Sequence, residues 1–137
     1  MNLRVVSVDE NQFQSAKEYL VWGSDKPALR SWKVGDLLAF KIGNEYASIV
    51  KVTQTQFYDD RVIWENGFFP YRVRLELIFD LPLNKRVPHG GVIKENFLKF
   101  YDKYYGYTMV NKMILKSELS EIIYSEFERI VQEVLIT

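Results

Sequence analysis

The chain has 137 residues, 47% of them hydrophobic and 15% aromatic, with 18 basic and 18 acidic side chains that cancel to zero net charge. That length suits one domain, residues 1–137, large enough to bury roughly two thirds of its unfolded surface, and the apolar content excludes intrinsic disorder. The balance of charge excludes a uniformly basic binder, and the lack of cysteine excludes disulfides, thiolate metal sites and a cysteine nucleophile.

Leu3 to Val8 is a β-branched, apolar run and predicts a strand. Asp9 followed by Gln12 has the form of a capping box, and Phe13, Ala16 and Leu20 share one helical face beyond it. Trp22-Gly23-Ser24-Asp25-Lys26-Pro27 predicts a loop, with a short helical piece over Ala28 to Trp32. Val34-Gly35-Asp36 turns into a strand over Leu37 to Ile42, and Gly43-Asn44-Glu45 turns it back into a second, Tyr46 to Thr53. Gln54 to Asn66 is largely polar.

Tyr71 to Phe79 alternates, with Tyr71, Val73, Leu75, Leu77 and Phe79 on one side. Leu81 to Gly91 holds the only histidine among prolines and glycines and predicts a loop. Lys94 to Tyr105 predicts a helix, Thr108 to Leu115 a strand, and a Ser117-capped helix closes the chain, with Leu119, Ile122, Ile123, Phe127, Ile130, Val131 and Val134 at helical spacing. Residues 1–116 carry 17 basic and 13 acidic side chains, whereas residues 117–137 carry 1 and 5, so a mildly cationic body accompanies an acidic helix.

Catalytic patterns are weak. His89-Gly90-Gly91 resembles an esterase oxyanion loop, but no G-x-S-x-G elbow exists to supply a nucleophile. Asp59-Asp60 are adjacent carboxylates that point apart on extended chain. Metal-ligand spacings and phosphate-binding glycine loops are absent from the sequence. The expectation is a non-catalytic domain without cofactor or metal. Binding has better support. Trp22 and Trp64 sit among polar residues, as lids on the core or as stacking platforms for a planar base. Trp32 reads as a core residue.

The order of three segments resembles the EVE domain, a PUA-like relative of YTH domains. They are Val21-Trp22-Gly23 followed by Trp32-Lys33-Val34-Gly35-Asp36; Phe69-Pro70-Tyr71-Arg72-Val73-Arg74; and Phe97 to Tyr101 with the terminal helix. The resemblance spans nearly the whole chain. It implies a mixed α+β fold, a small barrel of about five or six strands with helices outside it. Val5 to Asn11 is similar to the YTH stretch "IKSNNHEN", and Val21-Trp22-Gly23 to "VWS", whose tryptophan walls a methyl-base cage; Trp64 precedes its strand as the second cage tryptophan does. Gly23 replaces the YTH serine, with Ser24 next, and Val8 and Asp9 replace two asparagines.

The resemblance implies a reader of a modified, methylated base, flipped out or single-stranded, without catalysis of its own. Trp22 and Trp64 would enclose the base, and Ser7, Asp9, Asn11, Gly23 and Ser24 would read its edge. Lys26, Arg30, Lys33, Arg61 and Arg72 would hold phosphates. Similar modules stand at the front of McrB-type modification-dependent restriction proteins. The expected partner is therefore DNA, with RNA as the alternative, in the cytoplasm, served by a fused or associated motor and nuclease. A small-molecule or protein-interaction domain on the same scaffold is the competing expectation.

Overall fold

The computed structural model describes residues 1–101 and 113–136. Its elements in chain order are β1 (Leu3–Ser7), α1 (Glu10–Tyr19), β2 (Val21–Ser24), β3 (Leu37–Ile42), β4 (Glu45–Tyr58), β5 (Tyr71–Asp80), β6 (Val87–Pro88), α2 (Val92–Tyr101) and α3 (Ser117–Ile136). The strand order is β1-β3-β4-β5-β2, with β6 paired to the start of β4. β1 runs parallel to β3, and the other pairs are antiparallel. The sheet curls into a half-barrel, the mixed α+β architecture anticipated from the sequence. α1 joins the two outermost strands, β1 and β2, along the chain and packs Phe13 and Ala16 against one face of the sheet.

The sheet is covered on both faces, which explains why its central strands read as continuous apolar runs. Leu3, Val5, Leu37 and Ala39 face one core, completed by Ile93 and Phe97 of α2 and Leu119, Ile123, Phe127 and Ile130 of α3. Val6, Leu38 and Phe40 point the other way, into a second core with Phe13 and Ala16 of α1, Trp32, Trp64, Val73 and Leu75. The turn before β3 is fixed electrostatically. The buried Asp36 carboxylate accepts from Arg4 Nη1 at 2.7 Å and from the Lys33 backbone N–H at 3.0 Å, while the Arg4 guanidinium lies 5.0 Å from the Trp32 ring centroid.

Several local expectations are corrected. Trp22-Gly23-Ser24 is an edge strand, paired with Val73-Arg72-Tyr71, because the exposed side of β5 supplies a hydrogen-bonding partner that outweighs the loop tendency of Gly and Ser. Ala28 to Trp32 forms turns, not a helix, and β4 continues through the polar stretch to Tyr58. The alternation of β5 breaks at Ile78, which is left unpaired while Leu77 meets Val50 and Phe79 meets Ile49. This bulge switches faces. Phe79 joins the α3 side, stacked 5.9 Å from Phe127, and Leu77 is left 38% exposed rather than buried. Ile122 is only half-buried. The loop after β5 contains a 3-10 turn, Leu83–Lys85, and the short β6. The strand expected over Thr108 to Leu115 falls mostly outside the described residues, and its last three positions are not strand.

Candidate nucleobase-binding cleft

α1 starts where the sequence says it should. Asp9 Oδ1 accepts from the Gln12 N–H at 2.7 Å, and Gln12 Oε1 accepts from the Asp9 N–H at 2.9 Å, completing a capping box. The helix ends at Leu20, whose left-handed backbone (φ 52°) lets its N–H close on Ala16 O and feeds the chain straight into β2. Trp22 is thereby placed on an edge strand opposite Val73, half-buried against Phe40 at 5.5 Å. Gly23 follows, and the absence of a side chain there is essential. A Cβ would lie 2.7 Å from the Phe69 carbonyl oxygen and 2.9 Å from Trp64 Cζ3. The Trp64 ring occupies that space.

Trp64 is the fixed wall. Its Nε1 donates to Gln12 O at 3.2 Å, its ring meets Phe69 edge-on at 5.7 Å, and the Arg72 guanidinium lies 5.5 Å from its centroid. Arg72 fastens the loop that carries Trp64: Nε donates to Phe69 O at 3.0 Å, Nη2 donates to Arg61 O, and Nη1 lies 3.2 Å from Asp59 Oδ2. The Asp59 carboxyl sits below its ordinary range because the Arg61 N–H donates to it, with the Arg72 charge adding to the effect.

Trp22 and Trp64 are brought together, their centroids 5.8 Å apart and their planes at 78°. The expectation that the two rings enclose a space for a base is corrected. The rings touch edge to face, and Trp64 is only 3% exposed. A cleft of about 50 Å³ remains between Gln12, Trp22, Gly23, Trp64 and Phe69. That is far below the roughly 300 Å³ at which ligand pockets begin, so with the rings in contact there is no slot for a base. A polar groove of about 260 Å³ adjoins it across Gln12 and Trp64, bordered by Asp9, Asn11, Ser15, Glu18, Glu65 and Asn66.

The remaining predicted residues divide. Asn11 and Asp9 border the groove, although one Asp9 oxygen is committed to the helix cap, and Gly23 lines the cleft. Ser7 is exposed at the end of β1 and lines neither cavity, and Ser24 Oγ accepts from the Lys26 N–H at 3.3 Å, shaping the next loop. Lys26, Arg30, Lys33 and Arg61 are exposed, Arg61 over the Tyr19 ring at 5.0 Å. Arg72 is corrected as a phosphate ligand: at 1% exposure, with its fork spent on the loop backbone and Asp59, it cannot reach a phosphate. Sequence reasoning missed Gln12 and Phe69 as supports of Trp64; the capping box and the Phe-Pro pair before β5 were the available signals. His89 is buried, its Nδ1 2.8 Å from the Tyr46 hydroxyl and its ring 5.4 Å from Phe97. Burial holds the Tyr46 hydroxyl well above the usual phenol range. Among the described residues, no cluster of three or more His, Asp or Glu side chains is arranged to hold a metal.

No family model and no curated protein matches the chain. Solved structures do. A YTH domain-containing protein, mmi1, in complex with RNA superposes with a TM-score of 0.76 at 11% identity, covering 99% of this chain and 87% of that one. The YTH domain of Zygosaccharomyces rouxii MRB1, in complex with N6-methyladenosine RNA, gives 0.64 at 12% identity, covering 92% and 86%. A Pseudomonas putida protein gives 0.60 at 14% identity, covering 90% and 98%. At such identities the likeness speaks for architecture, and on that basis the chain has a YTH-like fold.

Proposed function

We propose that this domain is a non-catalytic reader of a modified, methylated nucleobase presented flipped out or in a single strand. The observation that carries the proposal is the half-buried Trp22 ring set against the anchored Trp64 ring, beside a polar groove. Rotating Trp22 away from Trp64 would open a slot for a planar base, with the methyl group against aromatic carbon. Asn11, Asp9 and the groove carboxamides would then meet the base edge. YTH domains solved with N6-methyladenosine RNA and with m6A share the fold, which supports a modified base as the occupant.

The resemblance to EVE domains and to the front modules of McrB-type proteins favours DNA as the carrier, with recognition serving a separate motor and nuclease. The acidic rim of the groove, Asp9, Glu18 and Glu65, favours a base edge that presents N–H donors. It equally suits a small molecule bearing such donors, the second function class. A binding panel separates them: methylated and unmodified oligonucleotides, single- and double-stranded, DNA and RNA. Tighter binding of the methylated member of any pair supports base reading, and equal or no binding throughout defeats it.

A further inference from the structure

Ser24, Tyr71 and Tyr58 are register partners across β2, β5 and β4. Residues directly opposite in antiparallel strands project to the same side, and the Tyr71 and Tyr58 rings meet edge to face at 5.4 Å. Trp22, two residues before Ser24, projects to that side as well, roughly 6.6 Å along the strand. Tyr58 is 61% exposed, and no core contact calls for a ring there. The loop carrying Lys26 and Arg30 is held against β4 by the Leu29 N–H, which donates to Gln56 Oε1 at 3.0 Å. Lys26 and Arg30 are exposed and form no ion pair with a described residue. Asp25 and Asp60 are the opposing exposed charges nearby in sequence, while Asp59 is occupied by Arg72.

We infer that the Tyr58–Tyr71 pair is a stacking platform for a nucleotide flanking the one held at Trp22, with Lys26 and Arg30 on the connecting phosphates. The inference rests on the base-reading proposal for its direction, since the strand runs outward from the tryptophan cleft. Its physical content is separate: exposed aromatic faces hold bases of any identity, and nearby cations track the backbone. The platform therefore binds single strands with or without a modified base.

The test compares wild type, Tyr58→Phe and Tyr58→Ala on an unmodified single-stranded 10-mer, a methylated 10-mer and the free methylated nucleoside. Tyr58 is exposed, so the variants should fold. Tyr58→Ala should weaken both 10-mers by roughly 5- to 150-fold, the loss of one stacked base, and leave the nucleoside unchanged, while Tyr58→Phe retains affinity. Unchanged 10-mer affinity in Tyr58→Ala overturns the platform and leaves base reading intact. Failure of wild type to bind any 10-mer also overturns it. Binding of both 10-mers alike, still lost in Tyr58→Ala, upholds the platform and removes the base reader.

Discussion

Replacing Gly23 by serine should unseat Trp64. The new Cβ would lie 2.7 Å from Phe69 O and 2.9 and 3.0 Å from Trp64 Cζ3 and Cη2, where comfortable contacts lie near 3.5–4.0 Å. Neither neighbour yields easily. Phe69 O is backbone and already accepts from Arg72 Nε at 3.0 Å, and the Trp64 ring is tethered through Nε1 to Gln12 O. Overpacking of this kind costs about 1–3 kcal/mol, which for a chain of this length is a fall in Tm of roughly 3–12 °C. Relief comes most readily by tilting Trp64 out of its seat, so its emission should shift to the red as the ring meets water. Thermal unfolding and tryptophan fluorescence of Gly23→Ser and Gly23→Ala read both effects. A variant with wild-type Tm and unshifted emission would refute the claim that this glycine makes room for the tryptophan.

Other substitutions test the frame around the cleft. Ile123→Ala, fully buried against the sheet, should lose about 2–5 kcal/mol in urea unfolding, and Leu77→Ala, beside the bulge, well under that; equal losses would contradict the assigned facing. Asp36→Ala leaves Arg4 charged and buried without its partner, a loss of about 3–5 kcal/mol; a stability within 1 kcal/mol of wild type would show that the pair does not lock the turn. Stability should also fall in acid. Glu10, hydrogen-bonded by Arg86, is held below the usual carboxylate range. Asp36, which burial alone would raise, is brought below it by the Lys33 N–H and Arg4. Such carboxylates stabilise fully above roughly pH 5 and lose that contribution as pH drops through their ordinary and then their lowered folded values. In Asp36→Ala the acid limb of the stability curve should be shallower than in wild type, and identical limbs would remove Asp36 as a source.

What could be read from residues and what could not follows physical lines. The capping box at Asp9 and the apolar stripe of α3 are local patterns; the box appears intact, and the stripe appears through Leu119, Ile123, Phe127 and Ile130, while Val134 is exposed. The burial of Trp32 follows from its place before the glycine turn. The features that escaped are those decided by distant partners. β2 exists because β5 offers an edge, and the face switch of Phe79 depends on one unpaired residue. Trp64 lies in a polar stretch yet is buried, because Gly23, far away in sequence, leaves room for its ring. Arg72 looked like a surface cation in an alternating strand, but a loop folded over it turned its guanidinium into a clasp.

Trp22 is the half-buried wall of the cleft, packed on Phe40 and Trp64, and its removal tests base reading most directly. The measurement is the ratio of affinities for the methylated and unmodified versions of one single-stranded oligonucleotide, in wild type and in Trp22→Ala, with Tm recorded alongside. If a base inserts between Trp22 and Trp64, the ratio exceeds one in wild type and collapses toward one in Trp22→Ala, while the fold persists. A ratio above one that survives intact in a folded Trp22→Ala protein would place the recognition of the methyl group elsewhere and contradict the cleft assignment.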